Sequence, residues 1–119
     1  MPFDLIADQA LDRELAKLPA GARAAILAAL EGLRAHPLEH PKVVRLHGSR
    51  YPGSFRMRIG SYRLLGLVLA SQSLVFLTTA FHKKRDSDYD QALVRHERRL
   101  ATQGPPLDEA IRAARRKLS

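Results

Sequence analysis

Arg56, Arg58 and Arg63 stand in the string Phe55-Arg56-Met57-Arg58-Ile59-Gly60-Ser61-Tyr62-Arg63, whose spacing places all three on one face of a β-hairpin. Gly60-Ser61 suits a two-residue turn, because glycine readily takes positive φ. Ile59 then pairs with Tyr62, Arg58 with Arg63 and Arg56 with Leu65, while Phe55, Met57 and Ile59 point the other way. Like charges directly opposite across strands cost about 0.2–1 kcal/mol, so a sequence shaped by stability alone would not set Arg58 against Arg63. A ligand anion or an acidic protein segment resolves the conflict, and guanidinium forks match phosphate oxygens by bidentate hydrogen bonding. The competing reading is an exposed sheet face kept soluble by arginines with snorkelling stems.

A second cluster, Phe81-His82-Lys83-Lys84-Arg85-Asp86-Ser87-Asp88-Tyr89, leaves a strand and enters a helix. Cleaving RNA without a metal requires the 2′-hydroxyl to lose a proton, the pentacoordinate phosphorus to be stabilised, and the 5′-oxygen to be protonated. Arg56, Arg58 and Arg63 can hold and neutralise the phosphate, and Tyr89, His82 and Lys83 are the candidates for proton transfer. Tyr89 also opens an apolar helix face shared with Leu93 and Leu100, so it reads equally as core. His82, alone beside lysines, reads equally as a surface residue. Arg45, Arg50, Lys84 and Arg85 are candidate RNA contacts around these two clusters. His36, His40, His47 and His96 receive no catalytic role.

The surrounding charge supports an anionic partner. From Lys42 to Arg85 there are nine Lys or Arg residues and no Asp or Glu, whereas residues 1–41 carry six acids and four bases. Such a two-sided field favours RNA, DNA or an acidic protein and speeds encounter. With 119 residues and a net charge of +8, one domain with one modest core is expected. The absence of cysteine excludes disulfides and thiolate chemistry, and the five histidines show no zinc-type spacing, so neither cofactor nor metal is expected. No apolar run approaches membrane-spanning length, and Met1-Pro2-Phe3-Asp4 does not open a secretory signal, so a soluble cytoplasmic chain is expected.

The elements that must position these clusters follow from periodicity. Leu11, Leu15 and Leu18 define a short amphipathic helix over residues 8–18, and Ile26, Leu30 and Leu33 a second from near Ala20 to about Ala35, closed by His36-Pro37. The short break at Pro19 favours an antiparallel pair. Phe3–Ile6 can add a short edge strand. Val43–Leu46, Ser54–Ile59, Tyr62–Ala70 and Leu74–Ala80 read as four strands, mostly meandering, with residues 47–53 as a loop. Ser87 and Asp90 fit a capping box, followed by Tyr89, Leu93, His96 and Leu100 on one helix face. Gly104-Pro105-Pro106 breaks that helix, and Leu107, Ile111, Ala114 and Leu118 mark a final basic amphipathic segment, too short to be stable alone. The expectation is an α+β domain over residues 1–100, a helix pair packed on an antiparallel-dominated, four-stranded twisted sheet followed by a C-terminal helix, with residues 101–119 as a linker and short segment.

The helix pair ending near Leu-Pro, then Arg45-Leu46-His47-Gly48, then Tyr51-Pro52-Gly53-Ser54-Phe55 running into Arg56–Arg63, a hydrophobic strand and a basic segment ending in Tyr89 together resemble the RelE/ParE superfamily of bacterial type II toxins. The resemblance spans roughly residues 3 to 93, and its most specific part is Arg-x-Arg-x-Gly-x-Tyr-Arg at 56–63. His82-Lys83-Lys84 and the helix after it look closer to HigB-like members than to a plain RelE.

The resemblance implies a ribosome-dependent mRNA interferase that enters the A site, cuts the codon there to a 2′,3′-cyclic phosphate and a free 5′-hydroxyl, and is neutralised by an adjacently encoded antitoxin in a hetero-oligomer. It places Arg56, Arg58 and Arg63 at the basic positions of the two hairpin strands. It places Tyr89 at a C-terminal tyrosine that stacks on the base or assists proton transfer. Where such enzymes carry an arginine about six residues before that tyrosine, this chain has Lys83, which keeps the charge and loses the fork, leaving Arg85 or His82 to compensate. Two other readings stand beside it: a ParE-like inhibitor of DNA gyrase, and a non-enzymatic basic protein whose face only binds an acidic antitoxin.

Overall fold

The structure, a computed structural model, describes residues 3–37, 39–46, 51–69 and 73–102. Strand β1 (Asp4–Ala7) leads into helix α1 (Gln9–Ala16), helix α2 (Ala20–Ala35), strands β2 (Val43–Arg45), β3 (Ser54–Ile59), β4 (Tyr62–Leu69) and β5 (Leu74–His82), and helix α3 (Asp86–Thr102). Asp8 starts α1 by accepting a hydrogen bond from the Ala10 amide at 2.7 Å. Arg23 of α2 reaches back to the unsatisfied carbonyls at the end of α1, donating to Leu15, Ala16 and Leu18 at 3.2, 3.4 and 3.2 Å. That clasp fixes the turn around Pro19.

The sheet has the order β1-β5-β4-β3-β2, antiparallel throughout except for β1, which pairs parallel with β5. It therefore holds five strands rather than four, because the short segment after Phe3 finds a free edge on β5. Helices α1 and α2 cover one face over a core of Leu11, Ile26, Leu33, Phe55, Met57, Ile59, Leu64, Val68, Val75, Leu77 and Ala80. Helix α3 covers part of the other face through two smaller clusters, Leu67, Phe76 and Leu100, and Leu65, Phe81 and Ala92.

One irregularity controls which β5 side chains face α3. Gly66 pairs with Leu77 but Leu65 pairs with Thr79, so Thr78 is the extra residue of a β-bulge. The alternation is reset there. Thr79 and Phe81 fall on the α3 side, and Ala80 and His82 on the side of the helix pair. The bulge is sealed by His96, fully buried on α3, whose ring nitrogens lie 2.9 Å from Ser54 Oγ and 2.7 Å from Thr78 Oγ1. Ser54 also donates to the Tyr51 carbonyl at 2.8 Å. Burial is the main cause that lowers the His96 pKa to about 4, against a smaller opposing effect of Glu97, so the ring is neutral at pH 7.

Close packing at Gly66 lets β4 pass under Phe55, since a Cβ there would meet the ring at 2.8 Å. Beyond the end of β1, Glu14 accepts the free Ala80 amide at 3.3 Å and pairs with Arg99 at 2.6 Å, tying α1 to α3 around the sheet edge. Helix α3 begins at Asp86, so its N3 residue is Asp88, which accepts from the Lys84 and Arg85 amides at 2.9 and 3.0 Å. The Ser87–Asp90 capping box is thus displaced: its hydroxyl lies inside the first turn, and Asp88 takes the reciprocal role. The helix continues to Thr102, and the basic segment expected over 107–118 lies outside the described residues.

Candidate functional site

The hairpin register is the expected one: Ile59 faces Tyr62, Arg58 faces Arg63 and Arg56 faces Leu65, with Gly60 at φ +59° in the turn. Phe55, Met57 and Ile59 are committed to the core under α1 and α2, which leaves Arg56, Arg58 and Arg63 on the α3 side. Helix α3 packs on the β4 and β5 part of that face, against Leu65, Leu67, Phe76 and Phe81. The arginines beside the turn line a basin of about 670 Å³ whose other walls are Pro41, Lys42, Val44, Gly60 and Lys83. Of the eight described residues that line it, five are cationic and none is acidic.

Each cation is positioned by something specific. Arg63 folds onto the turn, donating from one guanidinium nitrogen to the Gly60 and Tyr62 carbonyls, both at 2.9 Å. The Arg56 guanidinium lies over the Tyr89 ring, 5.4 Å from its centroid, a cation–π contact. Tyr89 is half-buried against Leu65, Phe81 and Ala92, so it is core and at the same time the platform for Arg56. Lys83 is held by its amide, which donates to Ser61 at 2.9 Å, and its ammonium lies 3.5 Å from the fully exposed Asp86. Lys42 is brought in by pairing of its carbonyl with the Arg58 amide at 3.1 Å. Burial, then the charges of Arg58 and Arg56, lower the Arg63 pKa from its ordinary value. Cations held together at this cost are prepared for a multiply charged anion.

The remaining sequence candidates lie elsewhere. His82 pairs with Tyr62 on the helix-pair side and stacks on its ring, with centroids 4.7 Å apart. The bulge at Thr78 turns it away from the arginines. Arg45 pairs with Phe55 and shares its side of the sheet, exposed at the edge. Lys84 and Arg85 are exposed at the start of α3, outside the lining of the basin, and contribute their amides to the Asp88 carboxylate. Those hydrogen bonds lower the Asp88 pKa. Arg50 lies outside the described residues. Conversely, Pro41, Lys42 and Val44 belong to the basin and were not singled out from sequence. The available signal was Val44, which shares parity with Lys42 and pairs with Arg56 once the β2–β3 register is known. Among the described residues no three His, Asp or Glu side chains converge as metal ligands do.

No protein-family model matches the sequence, and no curated protein matches it. The fold, in contrast, is that of RelE toxins. A chain of the archaeal RelE–RelB complex from Pyrococcus horikoshii superposes with a TM-score of 0.63 at 21% identity, over 71% of this chain and 99% of that one. The toxin–antitoxin complex RelBE2 from Mycobacterium tuberculosis gives 0.61 at 27% identity, over 70% and 100%. A variant of the E. coli toxin RelE in the free state gives 0.62 at 22%, over 80% and 98%. The arrangement of helices on a mixed sheet with a following C-terminal helix is common to them and to this chain.

Proposed function

We propose that this protein is the toxin of a type II toxin–antitoxin pair, a RelE/HigB-like endoribonuclease that cuts mRNA on the ribosome. The observation that carries the reading is the convergence of Arg56, Arg58 and Arg63, with no carboxylate among the described lining residues, on the exposed part of a sheet whose other residues build a RelE fold. In the reaction the 2′-hydroxyl gives up its proton as its oxygen bonds to phosphorus, the bond to the 5′-oxygen breaks, and that oxygen takes up a proton. The products are a 2′,3′-cyclic phosphate and a 5′-hydroxyl. Arg58 and Arg63 neutralise the equatorial oxygens as charge builds, worth about 10²–10³ in rate per donor lost in comparable sites.

Arg56, braced on Tyr89, holds the phosphate in line, and Lys83 stands where it can assist the leaving 5′-oxygen. Among the described residues no imidazole lines the basin, so proton transfer near neutrality has no histidine from them to use. That favours a substrate geometry imposed by the ribosome over attack on free RNA. The neutralising partner is an antitoxin, as in the complexes of similar fold, and the site of action is the cytoplasm; no helix among the described residues is long and apolar enough to cross a membrane.

The test is primer extension on a reporter mRNA in a purified translation reaction, with and without ribosomes. Discrete cuts that require ribosomes, carry 2′,3′-cyclic phosphate ends and fade in Arg58→Ala are expected. Intact mRNA with wild-type protein would overturn the reading in favour of gyrase inhibition or antitoxin binding alone.

A further inference from the structure

Val44 is 47% exposed on the edge strand β2, one of the few large apolar side chains among the described residues that face solvent. Edge strands are ordinarily blunted by charge, and Lys42 and Arg45 do that on either side of it. Val44 nevertheless sits directly across from Arg56 in the β2–β3 register and, with Pro41, makes an apolar wall on an otherwise cationic basin. The other candidate platform for a flat ligand, the Tyr89 ring, already has the Arg56 guanidinium over it.

We propose that Val44, backed by Pro41, is a specificity-determining surface that receives the nucleobase attached to the phosphate held by Arg56, Arg58 and Arg63. The inference rests on the ribonuclease reading above and names how that same basin selects among substrates. A nucleotide presents an anion and an apolar ring face within one residue's length, and the basin presents cations and an apolar wall one cross-strand spacing apart, about 5 Å between Cβ atoms. Apolar contact with a base face discriminates by size and by ring area rather than by hydrogen-bonding edge. The wall therefore biases which base occupies the cut position, and Lys42, on the same side of β2, holds the neighbouring phosphate.

The experiment uses the full chain in the translation reaction, on one mRNA carrying the four bases in turn at a single in-frame position, with wild type, Val44→Thr and Val44→Ile. The readout is the ratio of cutting at the most favoured base to the least favoured, which does not depend on overall rate. Thr keeps the branched shape but replaces one of the two methyl groups by a hydroxyl, weakening the apolar contact; Ile extends it. The ratio should fall about fivefold to tenfold in Val44→Thr, the weight of an apolar contact of this size, and be retained or raised in Val44→Ile. Ratios equal to wild type in both variants would overturn the proposal. So would an unchanged ratio with weakened antitoxin binding, which assigns the wall to the antitoxin. Absence of cutting by wild-type protein would instead overturn the ribonuclease reading itself.

Discussion

Replacing Arg58 by threonine should stabilise the fold while weakening the site. Arg58 is exposed and stands opposite Arg63 in the hairpin, and its charge is one of the causes that lower the Arg63 pKa. Removing one of two facing like charges relieves about 0.2–1 kcal/mol, and threonine is a good strand former. For a domain of this size that is a rise of about 1–5 °C in Tm. Urea unfolding of wild type and Arg58→Thr at low salt and at ~1 M NaCl is the assay, since the Debye length contracts from about 10 Å at 0.1 M to about 3 Å at 1 M. The gain should be largest at low salt and shrink at high salt to the part that strand propensity supplies. Inorganic phosphate at about ten times its Kd should stabilise wild type by about 1.4 kcal/mol, and the variant by less. A variant less stable than wild type at low salt, or a difference indifferent to salt, would refute the reasoning that Arg58 is held against repulsion for the sake of an anion.

Three further outcomes are expected. Because the His96 pKa falls from 6.5 unfolded to about 4 folded, the unfolded chain binds more protons between those values. Stability is then full above pH 6.5 and is lost on acidification towards pH 4, by up to about 3 kcal/mol; denaturant melts across this range should show the loss, and a His96→Gln variant should flatten it. Gly66→Ala brings a methyl group to 2.8 Å from both the Phe55 ring and the Phe76 carbonyl, and should cost about 1–3 kcal/mol in urea unfolding. Glu14→Gln keeps an acceptor for Ala80 but loses the charge that meets Arg99 at 2.6 Å, for a loss of about 1.5–3 kcal/mol, which amide exchange at the α3 C-terminal turns should register first.

The hairpin was legible in sequence because its register depends on two adjacent residues, Gly60 and Ser61, and a positive φ at Gly60 leaves little freedom in the pairing that follows. The helix pair was legible for a similar local reason: leucine spacing and Pro19 set its limits. The side occupied by His82 was not. Counting by twos from Phe76 puts His82 with the arginines, and only the extra residue at Thr78, held by His96 eighteen residues further on, reverses it. The membership of Lys42 and Val44 was not legible, because it depends on the β2–β3 register, which is set across the eight residues 46–53 rather than across two. The parallel pairing of β1 is likewise a long-range event, a contact between the first strand and the last.

The most direct test of the arginine basin as the catalytic site is single-turnover cleavage of ribosome-bound mRNA by Arg63→Ala and His82→Ala. Arg63 lines the basin and His82 stacks on Tyr62 across the sheet, so the first change should slow cleavage about 10²-fold or more and the second should leave it near the wild-type rate. Cleavage that survives the loss of Arg63 and collapses with the loss of His82 would place the chemistry on the opposite face and contradict the assignment.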